Sequence, residues 1–150
     1  MMKRLAAFVF ATVTAAGMLG SSARLQAATT DEAAAGAVNV TINYKGKGIV
    51  DGSHRVWVFV FDTPNIGANA MPIAMDSVEK NGAIATFDVA GEKVWIAVAY
   101  DESGTMTGDG PPPSGSPIAI YGGNPAAPEA VTTGAKTAVT ITFDDSQRMP

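Results

Sequence analysis

The side chains of this chain best placed to do chemistry are carboxylates. Asp101, Glu102 and Asp109 fall within nine positions, at the start of a stretch (101–123) with no periodicity of its own. Calcium takes six to eight oxygens at about 2.3–2.6 Å, and acids joined by loop carbonyls can supply them. Asp101 directly follows an apolar run, which would fix its direction. Asp62 follows another such run and is expected at the same end of the fold. The candidate metal set is therefore Asp101, Glu102, Asp109 and Asp62. Against it, a full calcium loop carries more ligands at closer spacing, so the same acids also read as solvating a turn that glycine and proline shape. No other cofactor is implied.

Other constellations are thinner. Ser77-Val78-Glu79-Lys80 matches S-x-x-K, but that chemistry needs Lys one helical turn from Ser, and this segment reads as extended. His54 is the single histidine, and no G-x-S-x-G elbow exists for it to serve as a base. Asp62 and Asp101 would form an acidic pair for glycoside chemistry only at the right separation. Asn39-Val40-Thr41 is a glycosylation triplet inside a strand pattern that already explains both polar residues. With one histidine and no cysteine, a multi-histidine or thiolate metal site within the chain is excluded, as is a cysteine nucleophile.

The elements that must position these groups read as strands. Val38, Val40 and Ile42 alternate with Asn39, Thr41 and Asn43, the pattern of a strand with one wet face. Residues 54–61 (HRVWVFVF) and 93–100 (KVWIAVAY) are short, β-branched and aromatic, which suits strands covered on both faces. The two are expected to be central in facing sheets, with Trp57 and Trp95 one in each, in or near the core. Residues 72–80 open with proline and read as an edge strand. Asn81-Gly82 then predicts a two-residue hairpin turn into the strand 83–89. Short strands are expected at 117–121 and 129–133, and a firm one at 137–143 (TAVTITF). The stretch 101–123 holds four of the nine prolines (Pro111, Pro112, Pro113 and Pro117), so it is expected to be a stiff excursion. Seven or eight short strands with turns about every ten residues predict an all-β fold, a sandwich or a small barrel.

The order VNVTINY, VWVFVFD, an NG turn before ATFDV, AVAYDESG and finally TAVTITFDD resembles the prealbumin-like, carboxypeptidase-regulatory-like sandwiches of exported bacterial proteins, over roughly 37–145. The resemblance implies an all-β fold that is a single antiparallel β-sandwich of Ig-like or prealbumin-like type, and an accessory or binding module. In several relatives the strand matching 94–100 runs into a D-x-D-x-D-G loop. Ser103 and Thr105 stand where two of those carboxylates would be.

Export is read from the N-terminus. Lys3 and Arg4 precede an uncharged, mostly apolar run (5–19), and Leu25-Gln26-Ala27 offers a cut, the layout of a signal peptide. The run falls short of the roughly 20 residues of a membrane-crossing helix. The expected organisation is signal peptide 1–27, flexible leader 28–36, sandwich 37–145 and tail 146–150, in the periplasm or secreted. Three of the ten basic residues (Lys3, Arg4 and Arg24) precede the cut and all 14 acidic ones follow it, leaving a mature charge of −7. Such a chain is repelled by phosphate backbones and anionic lipid, so neither nucleic acid nor membrane insertion of the mature chain is expected. The functional expectation is a non-enzymatic binding or structural module with a protein or glycan partner, and with strand addition at the 72–80 edge. A calcium-dependent module built on 101–110 and a small hydrolase with an acidic pair remain alternatives.

Overall fold

A computed structural model describes residues 36–67 and 69–150. The expected signal peptide, and the expected leader apart from Gly36, lie outside the described residues. Gly36 itself is already in the first strand. The described residues form eight strands and no helix: β1 (Gly36–Tyr44), β2 (Val56–Phe61), β3 (Ala74–Val78), β4 (Ile84–Val89), β5 (Lys93–Tyr100), β6 (Ile118–Ile120), β7 (Val131–Thr132) and β8 (Thr137–Phe143).

Two sheets enclose one core. The smaller has the order β4-β1-β8; the larger has β3-β2-β5-β6, with β7 also pairing with β5. Alternation selects the inward set. Val38, Val40, Ile42 and Tyr44 from β1 and Phe87 and Val89 from β4 meet Val56, Val58 and Val60 from β2 and Val94, Ile96 and Val98 from β5. Fully burying each such side chain contributes roughly 1.5–3 kcal/mol. With no cysteine in the chain, this burial carries the fold without disulfides.

Three expectations about pairing need correction. The sandwich is not purely antiparallel, because β8 runs parallel to β1, with Val40 opposite Val139 and Ile42 opposite Ile141. Both strands alternate in the same way, and alternation is blind to direction. The two apolar strands are not in facing sheets. β2 and β5 are antiparallel neighbours in the larger one, with Phe61 opposite Trp95 and Trp57 opposite Ala99. Trp57 and Trp95 therefore share that sheet's outer face, half-buried and away from the main core.

Asn81-Gly82 does reverse the chain, but it does not make a hairpin. β3 lies at the edge of the larger sheet, as expected for the 72–80 stretch, although Pro72 precedes the strand, whereas β4 pairs with β1 in the smaller one. The turn closes through Ala83 N–H to Lys80 C=O at 3.2 Å, with Gly82 at φ 80°. The Asn81 amide then completes β1 as an added strand residue would. Its oxygen accepts from Tyr44 N–H and its nitrogen donates to Tyr44 C=O, both at 2.7 Å.

Candidate functional site

The register of the larger sheet scatters the expected metal set. Asp101 follows β5, and its N–H donates to Arg55 C=O at 2.8 Å, so it sits beside the start of β2. Asp62 follows the end of β2. The two therefore stand at opposite ends of the sheet, about 20 Å apart at strand rise, which contradicts the expectation of a shared end. It also places them far outside the separation of a glycosidase pair, about 5–9.5 Å.

The individual acids are otherwise engaged. Asp101 is 3 % exposed. Its Oδ1 accepts from Ser103 Oγ at 3.1 Å and Thr105 N–H at 3.2 Å, and its Oδ2 from Met106 N–H at 2.8 Å. Glu102 pairs with Arg148 at 2.9 Å. Asp109 is exposed further along the loop. Among the described residues no three His, Cys, Asp or Glu side chains gather as a metal-binding group. Asp101 is the knot that ties the start of the long loop.

His54 has an orienting partner that spacing alone did not reveal. Its Nδ1 lies 3.1 Å from Asp51 Oδ1. The same oxygen accepts the N–H groups of Ser53 and His54, which hold the Asp51 carboxyl below its ordinary value. This is an Asx-type turn, and among the described residues the imidazole makes no hydrogen bond to a hydroxyl. Ser77 lies in β3 opposite Trp57, and the chain from it to Lys80 is extended or turning, so S-x-x-K has no helical turn to act across.

The same end of the sandwich holds an aromatic cluster. The Tyr44 and Tyr100 rings stack at 4.4 Å, and Phe143 lies 5.0 Å from Tyr44. The Tyr44 hydroxyl donates to Asp145, whose other oxygen accepts from Lys47 N–H at 3.0 Å. Burial first, and then the Asp145 bond and charge, push the Tyr44 phenol well above its ordinary value. The Asp145 carboxyl is held below its own by Tyr44 first and Lys47 second. Burial, followed by the charge of Asp51, raises Tyr100 as well.

What the structure does bring together is apolar. The outer face of the larger sheet presents Phe59 and Phe61 from β2, Ala97 from β5 and Ile118 and Ile120 from β6. Two loops rise over this floor. Residues 62–73 supply Ile66, Ala70, Met71 and Pro72, and residues 101–117 supply the segment from Gly108 to Pro112. Met75, Met149 and the polar Asn69 also line this cavity of about 610 Å³, which is within the ordinary size of small-molecule sites, about 300–1,000 Å³.

The wall formed by the long loop is held in place. Met149 reaches the groove because the C-terminal segment is not a loose tail. Gln147 C=O accepts from Ile118 N–H, while Met149 C=O accepts from Gly115 N–H and its N–H donates to Ser116 C=O. The expected tail 146–150 thus packs on the loop. The long loop crosses the sheet at Gly108, which has φ 86°; a Cβ there would meet Trp57 Cζ3 at 2.6 Å and Met75 Sδ at 2.8 Å. Trp57 Nε1, beneath that crossing, is buried with no hydrogen-bond partner.

The sequence signal for this site was the apolar run of β2 itself, in which Phe59 and Phe61 on the outward parity are as buried as the core. The convergence of the methionines was not visible in it. Met149 is distant in sequence from Met71 and Met75 yet lines the same cavity, while Met106 packs on the adjoining apolar cluster.

Comparison of the chain with family models, with curated proteins and with solved structures gave no match.

Proposed function

We propose that this chain is an exported, non-enzymatic binding module whose site is the groove on the outer face of the larger sheet, and that its ligand is a small apolar molecule or an alkyl chain. The observation that carries the reading is the cavity of about 610 Å³, floored by Phe59, Phe61, Ile118 and Ile120 and walled by residues of two loops. Aromatic and aliphatic walls with few polar groups suit apolar ligands better than glycans, which need many hydrogen bonds. Flexible, polarisable thioethers let such a wall adapt to ligands of differing shape. Export rests on the N-terminal pattern of the sequence. The resemblance to prealbumin-like sandwiches belongs to the same reading, since such modules are mostly accessory or binding domains. The non-enzymatic part of the reading draws on the separation of Asp62 from Asp101 and on a His54 imidazole that, among the described residues, bonds to Asp51 and to no hydroxyl.

The test is titration with a neutral apolar fluorophore such as N-phenyl-1-naphthylamine. Saturable enhancement by the wild type, lost in Ala97→Trp, is expected. If Ala97→Trp melts far below wild type, Pro112→Trp on the loop wall replaces it. No enhancement, or enhancement untouched by both blocking variants, contradicts the groove as the site, and turnover of any ester, peptide or glycoside contradicts the non-enzymatic reading. A second reading, strand addition by a partner, is favoured by β3, which stands at the sheet edge with Met75 exposed within it and Ile73 exposed just before it. Self-association of wild type that disappears in Met75→Lys would support it.

A further inference from the structure

We propose that the groove prefers cationic amphiphiles to anionic ones of the same chain length, with Asp109 meeting the positive end. The inference rests on the groove reading and adds the ligand's charge class. The two loops that wall the groove (62–73 and 101–117) carry four acids, Asp62, Asp101, Glu102 and Asp109, and no Lys, Arg or His. Two of the four are already engaged, Asp101 by three hydrogen bonds and Glu102 by Arg148. Asp109 is the charged side chain among those lining the cavity. It stands between Gly108 and Gly110, where no neighbouring side chain in the loop crowds it.

The cation nearest in sequence to a lining residue is Arg148, beside Met149. Its guanidinium is taken by Glu102 at 2.9 Å and by Gly115 C=O at 2.6 Å. A carboxylate head lying at this rim would therefore meet Asp109 and find no free base among the lining residues. An ammonium head would meet an opposite charge at the water's edge, where it keeps most of its hydration and avoids the cost of full burial. The net charge of −4 adds a bias of the same sign at longer range.

Attraction for one head and repulsion for the other together predict a preference of roughly three- to tenfold at low salt, falling towards unity as salt screens the rim.

The test is displacement of N-phenyl-1-naphthylamine from the purified chain by dodecyltrimethylammonium, dodecanoate and the uncharged dodecyl maltoside, each below its critical micelle concentration. The expected order is ammonium tightest and carboxylate weakest. The gap should narrow in Asp109→Asn, reverse in Asp109→Lys and shrink at high salt. Asp109 is exposed, so these variants should melt with wild type. Equal affinities, a preference for dodecanoate, or a gap unchanged in Asp109→Asn overturns the charge assignment while the groove stands. Failure of all three alkyl probes, the uncharged one included, overturns the groove reading and this inference together.

Discussion

Removing the Asp101 carboxylate should loosen the groove from a position that does not line it. Asp101 is 3 % exposed, and its two oxygens accept three donors, of which Met106 N–H is the closest at 2.8 Å. A hydrogen bond to a charged group contributes about 1.5–3 kcal/mol, and a buried donor left without an acceptor costs about 1–3 kcal/mol. The three do not add in full, because Ser103 and Thr105 are exposed and water can replace the carboxylate there. Met106 is half-buried and has less access to water. Asp101→Ala is therefore expected to cost about 2–4 kcal/mol. Asp101→Asn keeps one acceptor oxygen but sets an amide N–H₂ against one of the donors, and should cost about 1–2 kcal/mol. For a domain of this size each kcal/mol lowers Tm by roughly 4 °C. The assay is urea and thermal unfolding followed by tryptophan emission, with N-phenyl-1-naphthylamine affinity measured on the folded variants. The alanine variant should lose more stability than the asparagine variant, and both should bind the fluorophore more weakly. An alanine variant within about 0.5 kcal/mol of wild type, the range of an ordinary surface substitution, would refute the view that this carboxylate holds the loop.

Three further outcomes follow from the same geometry. Gly108→Ala puts a Cβ at 2.6 Å from Trp57 and holds a non-glycine residue at φ 86°; strain of about 1–2 kcal/mol, plus displacement of the loop, should lower both Tm and fluorophore affinity. Tyr44 has a raised folded pKa, so its contribution is full below its ordinary 10.0 and is lost as pH rises through the folded value. Asp145 has a depressed one, so its contribution is present above 3.8 and is lost as pH falls through the folded value. Tyr44→Phe should flatten the alkaline loss and part of the acid loss in a stability–pH profile. Calcium in excess should leave Tm unchanged, since no group of three acids converges among the described residues; a rise of several degrees that Asp101→Asn with Asp109→Asn abolishes would contradict this placement.

Alternation made β1, β4 and β8 legible in the sequence, and continuous apolar runs did the same for β2 and β5. What it could not carry was partner choice. A period of two sorts side chains onto faces, but it does not say which strand lies alongside, so β2 and β5 as neighbours and β8 parallel to β1 could only be seen in the fold. Asn81-Gly82 shows the same limit, because the turn chemistry is local while the sheet that β4 joins depends on the end of β1. The long loop stood out in the sequence for its acids. Its role in the groove comes from the glycine that crosses Trp57 and the prolines of the wall. Met149 joined Met71 and Met75 only through pairing between residues 115–118 and 147–149, a contact with no local signature.

The most direct test of the groove is nuclear magnetic resonance of the chain labelled at its methionine methyls, titrated with dodecyl maltoside. The account predicts that the methyls of Met71, Met75 and Met149 shift together and saturably, while Met106, which packs beside the cavity without lining it, moves much less. Unmoved signals for Met71, Met75 and Met149 at saturating ligand, or shifts confined to Met106, would contradict it.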